Sequence, residues 1–492
     1  MASLSNSSGS SQSDDAAIDA SLRAPVSLFA ASAAGWLLIG AVLAVISSIK
    51  LHAPNFLGDL ECLTYGRTRG AESIALIYGW GFNAAFALSV WLLARLSRSM
   101  LPQPALLLVA ISFWNLGVAI GAGGVMFGDG TSLEMLELPA YAAPLLFVAY
   151  AFIGMWIFQV YQYGKIRPVY ISQWYLLGAL FWFPWIFSLT EIMLFINPVR
   201  GTVQAIVHTW FAQGLIHLYL LPVALGALYY FLPKLLSRPI NNYSISIYGF
   251  WMLALFGGWA GLARLSGAPV PAWVVSAGVS GTLMIVVTWA VLAINFLPTL
   301  LGPRATGETS GTLRFFSFAV LALLLWALST VALSLRSVAE ITQFTLVLPA
   351  QSQLFFLGVF SLVALGGLYY LVPKILGVEW SSRGLVTAHF WLSVIGVTLG
   401  VAALTVGGLK QGFLINALPS GQETPPPLLA VMQQLKPYLS AQTLAATILL
   451  IGQLLFAVNL MRTFRKAGCC CCALFRSSTS SGYTGTKEAV IR

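Results

Sequence analysis

The chain has 492 residues, of which 58% are hydrophobic and only 8% charged, and a formal net charge of +10. Soluble domains carry about a quarter charged residues, so this composition excludes a soluble fold. The Lys and Arg are scattered through loops rather than gathered on one face, which excludes a nucleic-acid-binding surface.

Apolar runs long enough to cross about 30 Å of hydrocarbon recur around residues 37, 85, 114, 150, 182, 218, 254, 285, 324, 360, 396 and 451. They predict twelve membrane helices, because lipid offers no partner to an unpaired backbone group. Of the 25 Lys and Arg, 17 fall with the termini and alternate loops and 8 on the opposite side, so both termini are expected in the cytoplasm. Residues 1–23 are Ser-rich and acidic and read as a disordered tail without a secretory signal. Residues 24–466 form the twelve-helix membrane domain, and 467–492 a Cys- and Ser-rich tail after the basic stop Arg462, Arg465, Lys466. The run Cys469 to Cys472 lacks the spacing of a zinc or iron-sulfur site; lipid attachment is its other reading.

The first span ends at Ile49 and the second opens near Glu72. An acid inside a span is a site candidate by default; the plainer reading is an acid favoured by a helix N-terminus. In the third span, Gly121 to Gly124 follow no strand and read as close helix packing rather than a phosphate loop. The next loop carries Asp129, Glu134 and Glu137, a solvated acidic stretch or a dock for a basic partner. The fifth span holds a second acid, Glu191.

In the sixth span Gln213 and His217, four apart, share a face, with His208 nearly opposite. The span ends LYYFLPK at Lys234, and the tenth ends LYYLVPK at Lys374. Phe250-Trp251 follow Gln213 by 37 residues, Phe390-Trp391 follow Gln353 by 37, and Phe113-Trp114 follow Glu72 by 41. Three helix pairs built alike predict a pseudo-threefold repeat. The seventh span carries Arg264 near its end, either snorkelling or facing the bundle. The tenth presents Gln351 and Gln353, which at i and i+2 point to nearly opposite sides. The eleventh carries His389, and Pro425 to Pro427 after it read as a stiff spacer.

The stretches SIKLHAPNFLGDLECLTYGRTRGAE, GWGFNAAF, YYFLPKLLSRPI, YGFWMLALFGGWAG, LYYLVPKILG and AHFWLSVIG resemble subunit I of cbb3-type cytochrome c oxidases, from about Leu38 to Phe464. The resemblance implies an all-α, twelve-helix heme-copper oxidase bundle in a bacterial inner membrane. Family members hold two hemes and one copper with six histidines. The heme-ligand positions fall here on Glu72, Gln351 and Gln353, and the copper-ligand positions on Gln213, Ala263 and Arg264. The active-site tyrosine falls on Gly257 and the proton-handling glutamate on Ser329. No catalytic residue and no bound cofactor are therefore expected. An amide is a poor iron ligand and Ala263 offers none.

Glu72, Glu191, Gln213, His217, Arg264, Gln351 and Gln353 are expected to form a polar network instead, with Arg264 neutralised by Glu72 or Glu191. The reading is a non-catalytic pseudoenzyme, an accessory or scaffold subunit beside other respiratory subunits or a cytochrome c protein. Its rivals are a terminal oxidase or nitric oxide reductase with atypical ligands, the heme retained at His208 or His217, and a proton or solute pathway through Glu72, Glu191 and Arg264.

Overall fold

Every predicted span is a helix in the computed structural model, which describes all residues except Met1, Pro102, 165–168, 303–310, 417–426 and 469–492, and the side chains only from Asp14 onward. The helices are α1 (Ala2–His52), α2 (Tyr65–Ser97), α3 (Pro104–Phe127), α4 (Ala140–Tyr163), α5 (Ile171–Ile196) and α6 (Thr202–Leu236). They continue with α7 (Tyr243–Leu265), α8 (Ala272–Leu301), α9 (Gly311–Ser334), α10 (Val347–Leu376), α11 (Arg383–Asn416) and α12 (Leu428–Lys466). No strand occurs among the described residues. Lys165, Arg167, Pro425, Pro426 and Cys469 to Cys472 lie outside them.

The twelve helices are not equivalent. Over their most apolar stretches α2, α6 and α10 are 94%, 94% and 83% buried, whereas each of the other nine is 39–44% buried. Three core helices therefore stand inside a lipid-facing ring, the arrangement that the repeat predicts. Each core helix also contains a π-helical segment, Ala75–Gly81, Leu215–Leu220 and Leu354–Ser361, beginning three, two and one residues after Glu72, Gln213 and Gln353. A fourth, Ile192–Ile196, follows Glu191. π segments are rare and re-aim side chains by their extra residue, so their recurrence at matching places is a structural repeat.

Two sequence expectations change in detail. Helix α1 begins at Ala2, not near Ala24, because residues read as a tail are tied to the bundle: Ile18 and Leu22 are buried, and Arg95 pairs with Asp15 and Asp19 at 2.8 and 3.4 Å. The Phe-Trp dyads match in only two units. Trp251 and Trp391 are 49% and 53% exposed while their Phe neighbours are buried, but Trp114 is fully buried and donates to the Tyr78 carbonyl at 2.8 Å.

Of the glycine run in α3, Gly121 and Gly124 pack closely, a Cβ on Gly121 meeting Leu138 and one on Gly124 falling 3.0 Å from Pro139, whereas Gly123 faces open space. At 34 and 39 residues, α11 and α12 are about 50 and 60 Å long, more than the ~45 Å of a bilayer with its headgroups. The start of α12 buries Val431, Leu435 and Leu439 against Leu51, Leu346 and Leu414.

Candidate functional site

The residues at the family's ligand positions collect near the ends of the core helices remote from the termini, where they form separate clusters. Glu72 is 5% exposed and fully engaged. One carboxylate oxygen accepts from Ser47 Oγ at 2.5 Å and the other from Arg69 Nη1 at 2.5 Å. Arg69 sits one turn before Glu72, so a local i,i+3 pair satisfies the acid. Beside it Ser48 and His52 both reach Thr443 on α12, at 2.8 and 3.0 Å.

Gln351 and Gln353 do open onto two compartments. Gln351 faces α7 and α9: its carbonyl accepts from Arg264 Nη2 at 2.7 Å and its amide donates to Thr330 Oγ1 at 3.0 Å. Gln353 faces α11 and α12, accepting from Gln442 Nε2 at 3.2 Å close to Gly400.

Arg264 points into the bundle, but its expected acid partner is wrong. Among the described residues it makes no ion pair. Its guanidinium binds Gln351 and, at 3.5 Å, Ser352, while Gln343 donates to its backbone carbonyl. Glu72 is held by Arg69, and Glu191, 6% exposed, makes no hydrogen bond or ion pair among the described residues. Which neighbour a side chain meets depends on helix rotation, and α7 turns Arg264 toward α10.

Gln213 is buried with its side chain against Gly261, and its backbone carbonyl accepts from His217 Nδ1 at 3.0 Å. A carbonyl can only accept, so Nδ1 carries the proton and Nε2 keeps its lone pair. That Nε2 is buried without a partner among the described residues. The His217 ring lies 5.4 Å from Trp326, which also contacts Trp289 at 5.5 Å and Phe355 at 4.6 Å. Ala263 is 7% exposed, its backbone in close contact with Gly278. His208 meets the Glu134 carbonyl at 3.0 Å, and Ser329 Oγ donates to the Trp326 carbonyl at 2.7 Å. Gly257 packs against Leu218 and the Cβ of His217.

In the loop between α3 and α4, Glu137 accepts from Ser73 Oγ at 2.9 Å. Burial pushes its carboxyl up to about 7, against the opposing Ser73 hydrogen bond and Arg69 charge. Sequence reasoning missed Arg69, Ser47, Thr330 and Gln442. Only Arg69 had a signal, its three-residue spacing from Glu72; the others belong to helices whose facing sides only the fold reveals.

The donors at these positions do not fit ligation of heme iron or copper. Both ends of Gln351 and both oxygens of Glu72 already make protein hydrogen bonds, and an amide is a poor ligand for iron. Among the described residues no three His, Cys, Asp or Glu side chains converge as a metal-binding group. Between α2 and α10, Trp80 Nε1 donates directly to Ser361 Oγ at 2.9 Å, and Phe356 lies against Gly81.

The bundle and its repeated core define the class, and the chain belongs to the family described as Cytochrome C and Quinol oxidase polypeptide I, which it matches over residues 24–448. Among relatives, it is 26% identical over 450 residues to the Cbb3-type cytochrome c oxidase subunit CcoN1 of Stutzerimonas stutzeri, covering 89% of this chain and 94% of that one. It is 24% identical to a cytochrome c oxidase subunit 1 homolog of Azorhizobium caulinodans, covering 90% and 82%. Its fold matches a cryo-EM structure of a heme-copper terminal oxidase dimer with a TM-score of 0.70, at 15% identity and over 90% and 84% of the two chains.

Proposed function

We propose that this chain is a subunit I homologue without hemes or copper, acting as a non-catalytic accessory or scaffold subunit of a respiratory membrane complex. The observation that carries this reading is the Arg264–Gln351 hydrogen bond, which joins a copper-ligand position to a heme-ligand position of the resembled family. A guanidinium there supplies positive charge without a metal and repels one. Glu72 tied to Arg69, and aromatic packing around Trp326, support the same reading. Its partners are other subunits of such a complex or a cytochrome c protein, and it lies in a bacterial inner membrane with both termini in the cytoplasm.

The test is oxygen consumption by the purified chain with reduced cytochrome c. No turnover above buffer is expected; sustained, cyanide-sensitive consumption would overturn the reading.

One observation favours a second reading, a retained heme with an atypical ligand. The buried Nε2 of His217 presents a free lone pair, held in place by the Nδ1 bond to Gln213. A heme absorbance present in the wild type and lost in His217→Leu would establish it.

A further inference from the structure

The other end of the core, on the side of the termini, holds a cluster that the oxidase reading does not use. Each core helix closes with an aromatic residue and a cation one turn later. Arg95 lies over Trp91 at 5.6 Å, Lys234 over Tyr230 at 5.3 Å and Lys374 over Tyr370 at 4.6 Å. The rings touch one another: Trp91 is 5.6 Å from Tyr230 and 6.0 Å from Tyr370, and Phe231 is 5.1 Å from Tyr370. Three cations from three helices thus converge on one aromatic seat. Arg23 adds a fourth beside them, donating to the Ile375 carbonyl at 3.0 Å.

Part of this cluster already binds oxyanions. Asp19 accepts from Trp91 Nε1 at 2.9 Å and from Arg95 at 3.4 Å, and Asp15 accepts from Arg95 at 2.8 Å. Both acids come from the N-terminal turns of α1. Lys234 and Lys374 have no carboxylate within ion-pair distance among the described residues; Lys234 reaches only Tyr230 OH, at 3.3 Å. Lys374 also acts on Asp19 through space, and Lys234 and Arg95 on Tyr370. Four cations facing two acids leave excess positive charge on the lysine side.

Basic residues at this end of a bundle also follow from the sidedness of membrane proteins. That rule scatters charges through loops, however, and requires neither convergence nor a carboxylate seated by an indole N–H and a guanidinium.

We propose that Arg95, Lys234 and Lys374 form one site for a multiply charged, phosphate-bearing anion, and that Asp15 and Asp19 are its tethered competitor, occupying the Arg95 side. Lysine and arginine are the residues that recognise phosphate, and an exposed ammonium over an aromatic ring is held ready for it. The ligand is either a soluble polyphosphate or an anionic lipid headgroup. The inference is independent of whether the remote end carries metal.

The experiment uses the full chain in phosphatidylcholine nanodiscs, titrated calorimetrically with inorganic pyrophosphate, and in parallel measures cardiolipin retained by native mass spectrometry. Wild type is expected to bind one of the two probes. Asp15→Asn with Asp19→Asn tightens that binding about 5-fold or more, the scale of coupling between competing groups. Lys234→Gln with Lys374→Gln abolishes it while unfolding at the temperature of wild type. Pyrophosphate binding assigns a soluble ligand, and cardiolipin retention alone assigns a lipid. Binding of neither probe, or binding unchanged in the lysine double variant, overturns the proposal. Because all three cations are single side chains at helix ends, Lys374→Gln alone serves as a milder second variant, with partial loss expected.

Discussion

Arg264 is the side chain in which the site's chemistry is concentrated, since a guanidinium facing the bundle needs every acceptor it has. Replacing Gln351 by Leu removes its main one and should destabilise the protein by about 1–3 kcal/mol, the cost of a buried polar group left unpaired. Arg264→Met combined with Gln351→Leu should recover most of that loss, because neither partner then remains without the other. Chemical unfolding in detergent measures both; equal destabilisation by the single and double variants would show that the pair is not coupled. Glu137 gives a pH signature outside the spans. Its carboxyl sits at about 7 in the folded chain, against a usual value near 4.3 in an unfolded one. The fold therefore favours the protonated form, and its contribution is complete at low pH and lost as pH rises through about 7. Amide exchange in the 128–139 loop should accelerate across that range in wild type and stay flat in Glu137→Gln.

At the scale of the helix, close approach depends on positions without a side chain. A Cβ on Gly278 would collide with the backbone of Leu262 and Ala263, which hold the end of α7 and so aim Arg264. Backbone cannot swing aside, so Gly278→Val should cost about 1–3 kcal/mol and lower the yield of folded protein, whereas Gly123→Ala, with open space around it, should be silent. The elements also show what was legible in the sequence. All twelve spans could be read because apolar length is a local property, and the kinship of α6 and α10 because their endings repeat; α2 shares no such ending and is grouped with them only by the Phe-Trp spacing after Glu72. The first turns of α1 could not be read that way: Ser-rich sequence argues for a tail, and what orders it is Arg95, some eighty residues away. Glu72 and Arg264 were correctly singled out as unusual, but their pairing was not legible. Arg69 against Arg264 for Glu72, and Gln351 against Glu191 for Arg264, are choices made by helix rotation, which no spacing in one sequence encodes.

At the scale of the whole molecule, an oxidase-family bundle keeps its ring and its threefold core, and within it Glu72, Arg264, Gln351 and Gln353 make internal hydrogen bonds. Sidedness follows from charge: Cys62, in the first loop and partly accessible, should react with a membrane-impermeant maleimide in intact cells, while the cysteines of the C-terminal tail should react only after lysis. The reverse pattern would invert the topology. The central claim, that this subunit I homologue works without redox centres, is tested most directly by heme and copper content per chain in the purified full-length protein, read from the pyridine hemochrome spectrum and elemental analysis. The account predicts far less than one heme and one copper per chain. Stoichiometric heme with a Soret band that shifts on reduction would contradict it.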